Sequence, residues 1–306
     1  MKSGRYEEAL REIAEADDRY VVMTAENRAP IRHLPEALGE RFVDVGIAEQ
    51  TLVGTASGLA LRGRIPVAHG LASFLTMRAF EFIRTDVGVG NLPVKLVGSV
   101  AGLLSEANGP THQALEDVAL MRLVPNMGVF CPADEEDLLL GLESVLASPQ
   151  PFYIRLNTRP AAVAHNVRFA VGRAELVLDG SDVAVLTYGT LFSEVLRAAR
   201  LLESSGLSVW LVNLRSLKPI DEQAVLEAVS AARLLVTVED HLASGGLASL
   251  VAEILVAHRR TTRLLRISLP QRGFVPALYD EVLEAEGLTS THIADRIRAA
   301  FSEREE

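Results

Sequence analysis

The chain has little cysteine, few aromatic residues and fewer basic than acidic side chains. Cys131 is the only cysteine, so no internal disulfide can form. Its neighbours Val129 and Phe130 are apolar, which favours a buried structural thiol over a reactive nucleophile. A formal net charge of −10 argues against binding to nucleic acid or to an anionic membrane surface.

Long hydrophobic runs and targeting signals are also lacking. Lys95 and Arg122 interrupt the apolar stretches well short of the length that spans a bilayer. No basic segment followed by an apolar core, as in a secretory signal, stands at the N-terminus. We therefore expect a cytoplasmic protein with no membrane partner. With 49% hydrophobic residues, the chain can bury large cores and is long enough for two domains.

Common motifs for binding nucleotides and metals are missing. The sequence has no glycine-rich phosphate loop that ends in Lys-Ser or Lys-Thr, and no dinucleotide fingerprint. Its seven histidines do not cluster at the spacing of metal ligands. We therefore predict no metal ligand within this chain.

Apolar strand-like segments alternate with helical stretches, which is the pattern of βαβ units in a parallel sheet. The predicted strands are 20–23, 42–45, 65–68, 94–97, 127–130, 151–154, 182–187, 209–212, 234–238 and 264–267. We expect an α/β protein with two parallel or mostly parallel sheets. The predicted first domain covers residues 1–160, a linker covers 161–180, and the second domain covers 181–306.

A single glutamate, Glu49, stands where a short apolar strand gives way to a helix. Phe42, Val43 and Val45 form the predicted strand, and apolar residues over 47–60 recur at helical spacing. Poor solvation at this junction favours the neutral acid, which could exchange a proton with a ring nitrogen near neutral pH. The alternative is a helix-start glutamate that the helix dipole stabilises.

A turn-forming loop over 105–113 carries His112 and Asn108. Asn-Gly-Pro within it predicts a tight turn at the carboxyl end of a strand, where open α/β sheets bind ligands. His112 could there bond a substrate hydroxyl or move a proton. The alternative is a helix-capping loop with a surface histidine.

Glu239, Asp240 and His241 follow a predicted strand, and Gly245 and Gly246 precede a helix. This arrangement could form an anion pocket at a helix N-terminus. A loop that needs glycine for its backbone angles is the more favoured interpretation.

Together these segments resemble the C-terminal half of transketolase, a family of thiamine-diphosphate enzymes. The similar segments, in order and spacing, are 46–50, 109–113, 116–122, 125–126, 132–134, 238–241 and 245–246. The resemblance covers essentially the whole chain and is strongest to split transketolases, whose halves are separate polypeptides. It implies a pyrimidine-binding thiamine-diphosphate fold followed by a transketolase C-terminal domain.

The resemblance implies cofactor roles for four residues of the first domain. Glu49 would hydrogen-bond the aminopyrimidine ring nitrogen of thiamine diphosphate, and Glu49 and His112 are the expected catalytic residues. Phe74 is expected to stack on the aminopyrimidine ring. Met77 and Phe80 are expected to line the pocket, although such residues at helical spacing are as often part of a core.

The same resemblance assigns substrate binding to His69, Asn108, His112 and Arg155. His69 follows a strand and either faces the substrate or is a surface loop histidine. Asn108 stands where the family usually has an aspartate that bonds a donor hydroxyl, so the shape is kept and the charge is lost. Arg155 matches a phosphate-binding arginine, or else is a strand-end arginine in solvent. A histidine and another arginine that bind phosphate in the family have no counterpart here.

Half of the cofactor site is missing from this sequence. The family holds Mg²⁺ on the cofactor diphosphate with a Gly-Asp-Gly turn and a downstream asparagine, and neither occurs here. The resemblance therefore implies an N-terminal partner subunit that supplies the Mg²⁺ ligands. It also implies a heterotetramer with two copies of each chain, in which this chain self-associates through both domains. The expected activity moves a two-carbon ketol unit from a ketose, expected to be phosphorylated, to an aldose.

Three alternatives remain open. The beta subunit of a two-chain 2-oxo acid dehydrogenase shares the fold, the glutamate and the cofactor, but lacks the Gly-Pro-Thr-His-Gln loop. A non-catalytic subunit that only binds a partner would not be expected to retain Glu49, His112 and Arg155 together. A fragment of a 1-deoxyxylulose-phosphate synthase would share Gly-Ile-Ala-Glu-Gln. We expect the chain to begin at the start of a domain, which is less expected of a fragment.

Overall fold

Two sheets organise the protein, one of seven strands and one of five. The computed structural model describes residues 4–166 and 168–303. The strands are β1 (Tyr20–Thr24), β2 (Phe42–Asp44), β3 (Ile65–Leu71), β4 (Lys95–Ser99), β5 (Gly128–Phe130), β6 (Phe152–Arg155), β7 (Glu175–Leu178), β8 (Val183–Thr187), β9 (Val209–Asn213), β10 (Ser216–Lys218), β11 (Leu234–Leu242) and β12 (Leu264–Leu269). Every strand that the sequence predicts is present, with ends that differ by a few residues.

The first sheet has the order β10-β5-β6-β4-β3-β1-β2, and the second has the order β12-β11-β8-β9-β7. Neighbouring strands are parallel except at one edge of each sheet, where β10 pairs antiparallel with β5 and β7 pairs antiparallel with β9. Most of the inner strands are buried on both faces, which explains their nearly continuous apolar sequences. The predicted α/β fold with two mostly parallel sheets is confirmed.

Helices cover both faces of the sheets. They are α1 (Arg5–Ala16), α2 (Leu34–Leu38), α3 (Glu49–Leu61), α4 (Phe80–Phe82), α5 (Asp117–Leu123), α6 (Glu135–Ala147), α7 (Phe192–Ser204), α8 (Glu222–Ala231), α9 (Leu247–Ala257), α10 (Tyr279–Ala285) and α11 (Ser290–Ser302). Two π-helical segments flank α4, at Phe74–Arg78 and Ile83–Val89. Among the described residues, no helix is both long enough and apolar enough to cross a bilayer.

Side-chain packing joins the two domains. Helices α1, α2 and α6 share one core cluster on one face of the first sheet, with Leu10, Leu34 and Leu142 among its members. Helices α3 and α5 belong to another cluster, which continues into α8 and α9 through Val225 and Leu247. Because one apolar core crosses the domain boundary, the second domain is packed firmly against the first.

Two strands lie outside the positions that the sequence indicates. Strand β7 belongs to the second sheet but falls within the segment 161–180 that the sequence assigns to the linker. Strand β10 follows β9 in the chain yet completes the edge of the first sheet. Both are short edge strands without a periodic pattern, so only their pairing partners define them.

Candidate active site

Glu49 is the first residue of α3 and follows the turn after β2. Gly46 makes this turn with a φ of +73°, a conformation that favours glycine. The Asp44 carboxylate fixes the turn, because its Oδ1 accepts hydrogen bonds from the backbone N–H groups of Gly46 at 2.9 Å and Glu26 at 3.1 Å. The Glu49 side chain is only 3% exposed. A buried carboxylate is thereby held at the carboxyl edge of the first sheet.

The cation of Arg78 faces this carboxylate. Nη1 of Arg78 donates a hydrogen bond to Oε2 of Glu49 at 2.7 Å, and the Arg78 side chain is 43% exposed. Arg78 is not among the site residues predicted from the sequence. The available signal was the spacing of four residues between Phe74 and Arg78, which brings their side chains together on one helical face.

Phe74 connects Arg78 with the histidine loop. The guanidinium carbon of Arg78 lies 4.4 Å from the centroid of the Phe74 ring. The His112 ring meets Phe74 edge-on, with the ring centroids 4.9 Å apart and the planes at 63°. Four side chains, from the start of α3, the π-helical segment and the loop after β4, therefore form one continuous set of contacts that includes Glu49.

The two other predicted pocket residues differ in exposure. Met77 is 40% exposed on the same π-helical segment as Phe74. Phe80 is partly buried and packs against the core cluster that α3 shares with the first sheet. Met77 is therefore open to a bound group, whereas the packing of Phe80 is that of a core side chain.

The loop that carries Asn108 and His112 is a tight 3-10 turn over Glu106–Thr111. Gly109 has a φ of +70°, and a Cβ built at Gly109 would lie 2.5 Å from Cγ of Pro276 in the second domain. Both constraints require glycine here. Oγ1 of Thr111 lies 2.9 Å from Nδ1 of His112, and Asn108 is exposed. The turn thus presents Asn108 and His112 on the accessible side of the loop.

The side chain of His69 faces the protein interior. It lies within β3 and is fully buried, with Nε2 2.8 Å from the Tyr6 hydroxyl and Nδ1 3.2 Å from the Met23 carbonyl oxygen. Since the carbonyl accepts from Nδ1–H, the Tyr6 hydroxyl donates to Nε2. Burial lowers the pKa of His69 to about 4, so the ring is neutral. The βα-loop position expected from the sequence is wrong, because β3 extends beyond His69 to Leu71.

The side chain of Arg155 is buried and does not extend to the surface at the edge of the sheet that carries Glu49. Its guanidinium is buried between Asp117 of α5, with Nε to Oδ2 at 2.8 Å, and Asp240 of β11, with Nη1 to Oδ1 at 2.7 Å. Burial would lower the pKa of Arg155, but these two carboxylates raise it above its usual value. The expected phosphate contact is therefore corrected: Arg155 is an ion-paired link between the domains.

Other arginines are accessible to solvent beyond the carboxyl ends of strands β6 and β1. Arg159, four residues after Arg155, is partly exposed, and its guanidinium carbon lies 4.5 Å from the centroid of the Tyr279 ring. Arg32 is exposed and lines a cavity of about 320 Å³ together with His33 and Thr158. These residues follow the carboxyl ends of β1 and β6, at the edge of the sheet that carries Glu49.

One group of potential metal ligands exists among the described residues, at Asp137, His165 and Glu175. Arg215 already pairs with it, with Nε 2.6 Å from Asp137 Oδ1 and Nη2 3.0 Å from Glu175 Oε2. Burial would lower the pKa of His165, but hydrogen bonds to Asp134 and Glu175 raise it to about 10. We therefore interpret the group as a charge network that joins the domains.

The suspected anion pocket in the second domain is filled by the chain itself. The Glu239 carboxylate accepts hydrogen bonds from the backbone N–H groups of Leu247 at 2.6 Å and Ala248 at 3.1 Å, in the first turn of α9. Nε2 of His241 accepts from the N–H of Ala119 in α5 at 3.2 Å. The glycine-containing loop is therefore structural, as the favoured interpretation of the sequence has it.

The contacts at this edge and the two-domain α/β fold together agree with a known family. A buried glutamate, an aromatic ring and a histidine loop meet at the carboxyl ends of parallel strands, and a second α/β domain packs behind them. The chain belongs to the transketolase family: residues 3–161 match its pyrimidine-binding domain and residues 172–293 match its C-terminal domain. The resemblance seen in the sequence is confirmed.

Individual relatives extend this result. The chain is 36% identical to the 6-deoxy-6-sulfo-D-fructose transketolase subunit SqwH of Clostridium sp. (strain MSTE9), over 96% of this chain and 92% of that one. It is similar to the solved structure of a split-gene transketolase, described as an inactive beta4 tetramer, with a TM-score of 0.89, 34% identity and 98% coverage of both chains. It is also 36% identical to the 1-deoxy-D-xylulose-5-phosphate synthase of Synechococcus sp. (strain JA-2-3B'a(2-13)), but covers only 47% of that protein.

Proposed function

We propose that this chain is the C-terminal subunit of a two-chain transketolase that moves a two-carbon ketol unit from a ketose donor to an aldose acceptor. The observation that carries the proposal is the meeting of Glu49, Phe74 and His112 at one edge of the parallel sheet. The similarity to a transketolase subunit over nearly the full length of both chains supports it.

Transketolases depend on thiamine diphosphate, and the residues at this edge fit its aminopyrimidine ring. A buried carboxylate beside an aromatic face already accommodates the flat, N–H-bearing guanidinium of Arg78. When bound, the cofactor supplies the nucleophilic carbon of the transfer. Glu49 would hold a proton shared with a ring nitrogen, Phe74 would pack on the ring, and Met77 would form the adjoining wall.

His112 and Asn108 would bind the hydroxyl groups of the sugar. Thr111 occupies Nδ1 of His112, and within the described ranges Nε2 has no hydrogen-bond partner. This arrangement fixes the imidazole ring and leaves one nitrogen for a substrate hydroxyl or for a proton transfer. Asn108 offers both an acceptor and a donor to the same sugar.

An anionic distal end of the donor would be held by Arg159 and Arg32 rather than by Arg155. Both side chains are accessible beyond the ends of β6 and β1, whereas the guanidinium of Arg155 is enclosed by two carboxylates. A guanidinium can bind a phosphate or a sulfonate group through two parallel hydrogen bonds. The donor would therefore be a phosphorylated or sulfonated ketose.

The active enzyme would contain an N-terminal subunit that carries Mg²⁺ and the diphosphate ligands, in a heterotetramer with two copies of each chain. The sequence lacks the metal-binding turn of the family. Large apolar side chains of the first domain are exposed, Ile47 at 72% and Phe82 at 36%, and would suit a partner surface. A similar chain described as an inactive beta4 tetramer supports self-association without activity. Location in the cytoplasm stays a prediction.

Reconstitution tests this proposal. The purified chain alone is expected to be inactive, and addition of an N-terminal subunit with thiamine diphosphate and Mg²⁺ is expected to produce ketol transfer between a ketose and an aldose. Cofactor-dependent turnover by the chain alone would contradict it. The similarity to a 1-deoxy-D-xylulose-5-phosphate synthase makes formation of 1-deoxy-D-xylulose 5-phosphate the second activity to assay, and that activity alone would favour synthase chemistry.

A further inference from the structure

Arg78 makes the same two contacts that the proposed function assigns to the cofactor ring. Its Nη1 donates to Oε2 of Glu49 at 2.7 Å, and its guanidinium carbon lies 4.4 Å from the Phe74 ring centroid. The aminopyrimidine ring would bond the same carboxylate and pack on the same aromatic side chain. A ring that bonds the same carboxylate oxygen and packs on the same face of Phe74 would exclude the guanidinium of Arg78.

The chemistry of a guanidinium explains the match. It is flat, carries several N–H donors and stacks on aromatic faces while it pairs with a carboxylate. An aminopyrimidine ring is also flat and presents N–H donors at its edge. Arg78 follows Phe74 by four residues on one helical segment, so the contact with the ring needs no other element to form.

We propose, on the basis of the function above, that Arg78 occupies the place of the aminopyrimidine ring in the unloaded chain and leaves it when the cofactor binds. The side chain is 43% exposed, so a path to solvent is open to it. Until it leaves, it keeps the buried Glu49 carboxylate paired. An unpaired carboxylate at 3% exposure would otherwise be costly to maintain.

This arrangement makes Arg78 a competitor of the cofactor. The apparent affinity for a ligand equals its intrinsic affinity multiplied by the fraction of protein in which the binding site is free. A partly exposed ion pair is modest in strength, so we expect removal of Arg78 to tighten cofactor binding by roughly 3- to 10-fold. A residue that merely supports the site would have the opposite effect when removed.

Calorimetric titration of the reconstituted complex with thiamine diphosphate at saturating Mg²⁺ tests the proposal. Arg78→Ala is expected to bind the cofactor more tightly than the wild type. Arg84→Ala is the matched control, because Arg84 is an exposed arginine of the neighbouring π-helical segment, and it should bind as the wild type does. Unchanged or weaker binding by Arg78→Ala would overturn the proposal. If Arg78→Ala does not fold, Arg78→Gln removes the charge with less loss of volume, and the same outcomes apply.

Labelling of the wild-type complex provides a second, independent measurement. Phenylglyoxal modification, quantified by peptide mass spectrometry, should proceed faster at Arg78 once thiamine diphosphate and Mg²⁺ are added, with the rate at Arg84 as the internal reference. An unchanged or slower rate at Arg78 would overturn the displacement. Failure of the wild-type complex to bind the cofactor at all would instead refute the proposed function, so the two failures are distinguishable.

Discussion

In the proposed role, Glu49 exchanges a proton and does not serve by its shape alone. We expect Glu49→Gln to reduce ketol transfer by roughly 100-fold or more, because glutamine keeps the size but cannot exchange a proton. Hydrogen–deuterium exchange at the reactive carbon of the cofactor, in the assembled complex, measures this directly. Glu40→Gln, in the exposed turn before β2, is the control. Undiminished exchange in Glu49→Gln would make Glu49 merely a helix-start residue.

Two arginines at and just after the end of β6 are expected to have different roles, Arg155 in stability and Arg159 in substrate binding. Arg155→Met would leave Asp117 and Asp240 buried without their cation, at a cost of about 3–5 kcal/mol in the free energy of unfolding. Arg159→Ala should change that free energy by less than about 0.5 kcal/mol and should weaken binding of phosphorylated or sulfonated donors. Denaturant unfolding and donor titrations measure the two effects. An Arg155→Met variant as stable as the wild type would refute the structural role of Arg155.

Sequence alone could not distinguish these arginines. Both belong to one short segment after an apolar strand, and the resemblance pointed to Arg155. The distinction arises from Asp240, which lies 85 residues further along the chain. His69 was misassigned for a related reason, since its partner Tyr6 lies 63 residues away.

At the scale of elements, the loop after β4 depends on one glycine. Gly109→Ala would strain a backbone at φ +70° and would place a methyl group against Pro276. We expect a loss of about 1–3 kcal/mol in unfolding free energy, together with reduced ketol transfer as Asn108 and His112 shift. Gly273→Ala is the control, because a Cβ there has open space and no positive φ. Equal stability of the two variants would contradict the close packing of this loop on the second domain.

The elements themselves were largely predictable, since apolar runs and helical periodicity depend on neighbouring residues. The two edge strands β7 and β10 were not, because each is defined by a strand that precedes or follows it at a distance. The π-helical form of Phe74–Arg78 also had no signal in the sequence. This local geometry carries both Phe74 and Arg78 of the candidate site.

At the scale of the molecule, the buried network around His165 couples domain packing to pH. The folded pKa of His165, about 10, lies above its ordinary value of 6.5. Its contribution to stability is therefore complete below about pH 6.5 and is lost as the pH rises through 10. Burial would raise the pKa of Glu175, but hydrogen bonds from His165 and Asn166 lower it to about 2, so its contribution is present above about pH 4.5 and is lost towards pH 2.

We therefore expect the free energy of unfolding to fall between about pH 6.5 and 10, by an amount on the order of a few kcal/mol. His165→Gln should remove most of this slope, because glutamine does not titrate. His258→Gln, at an exposed histidine that pairs with Glu222, should preserve it. Denaturant unfolding at several pH values measures the slopes, and a wild-type slope retained in His165→Gln would show that other groups control the pH dependence.

The sequence by itself determined the α/β class, the order of most strands and the position of Glu49 before its helix. These features follow from hydrophobic periodicity and turn-forming residues, which act over short stretches of chain. It also located Phe74 and the loop of His112, through their resemblance to transketolase. Only the tertiary structure decided which charged side chains are buried and paired. It withdrew His69 and Arg155 from the site and brought Arg78 to Glu49, because pairing and desolvation depend on residues that are distant in sequence and adjacent in space.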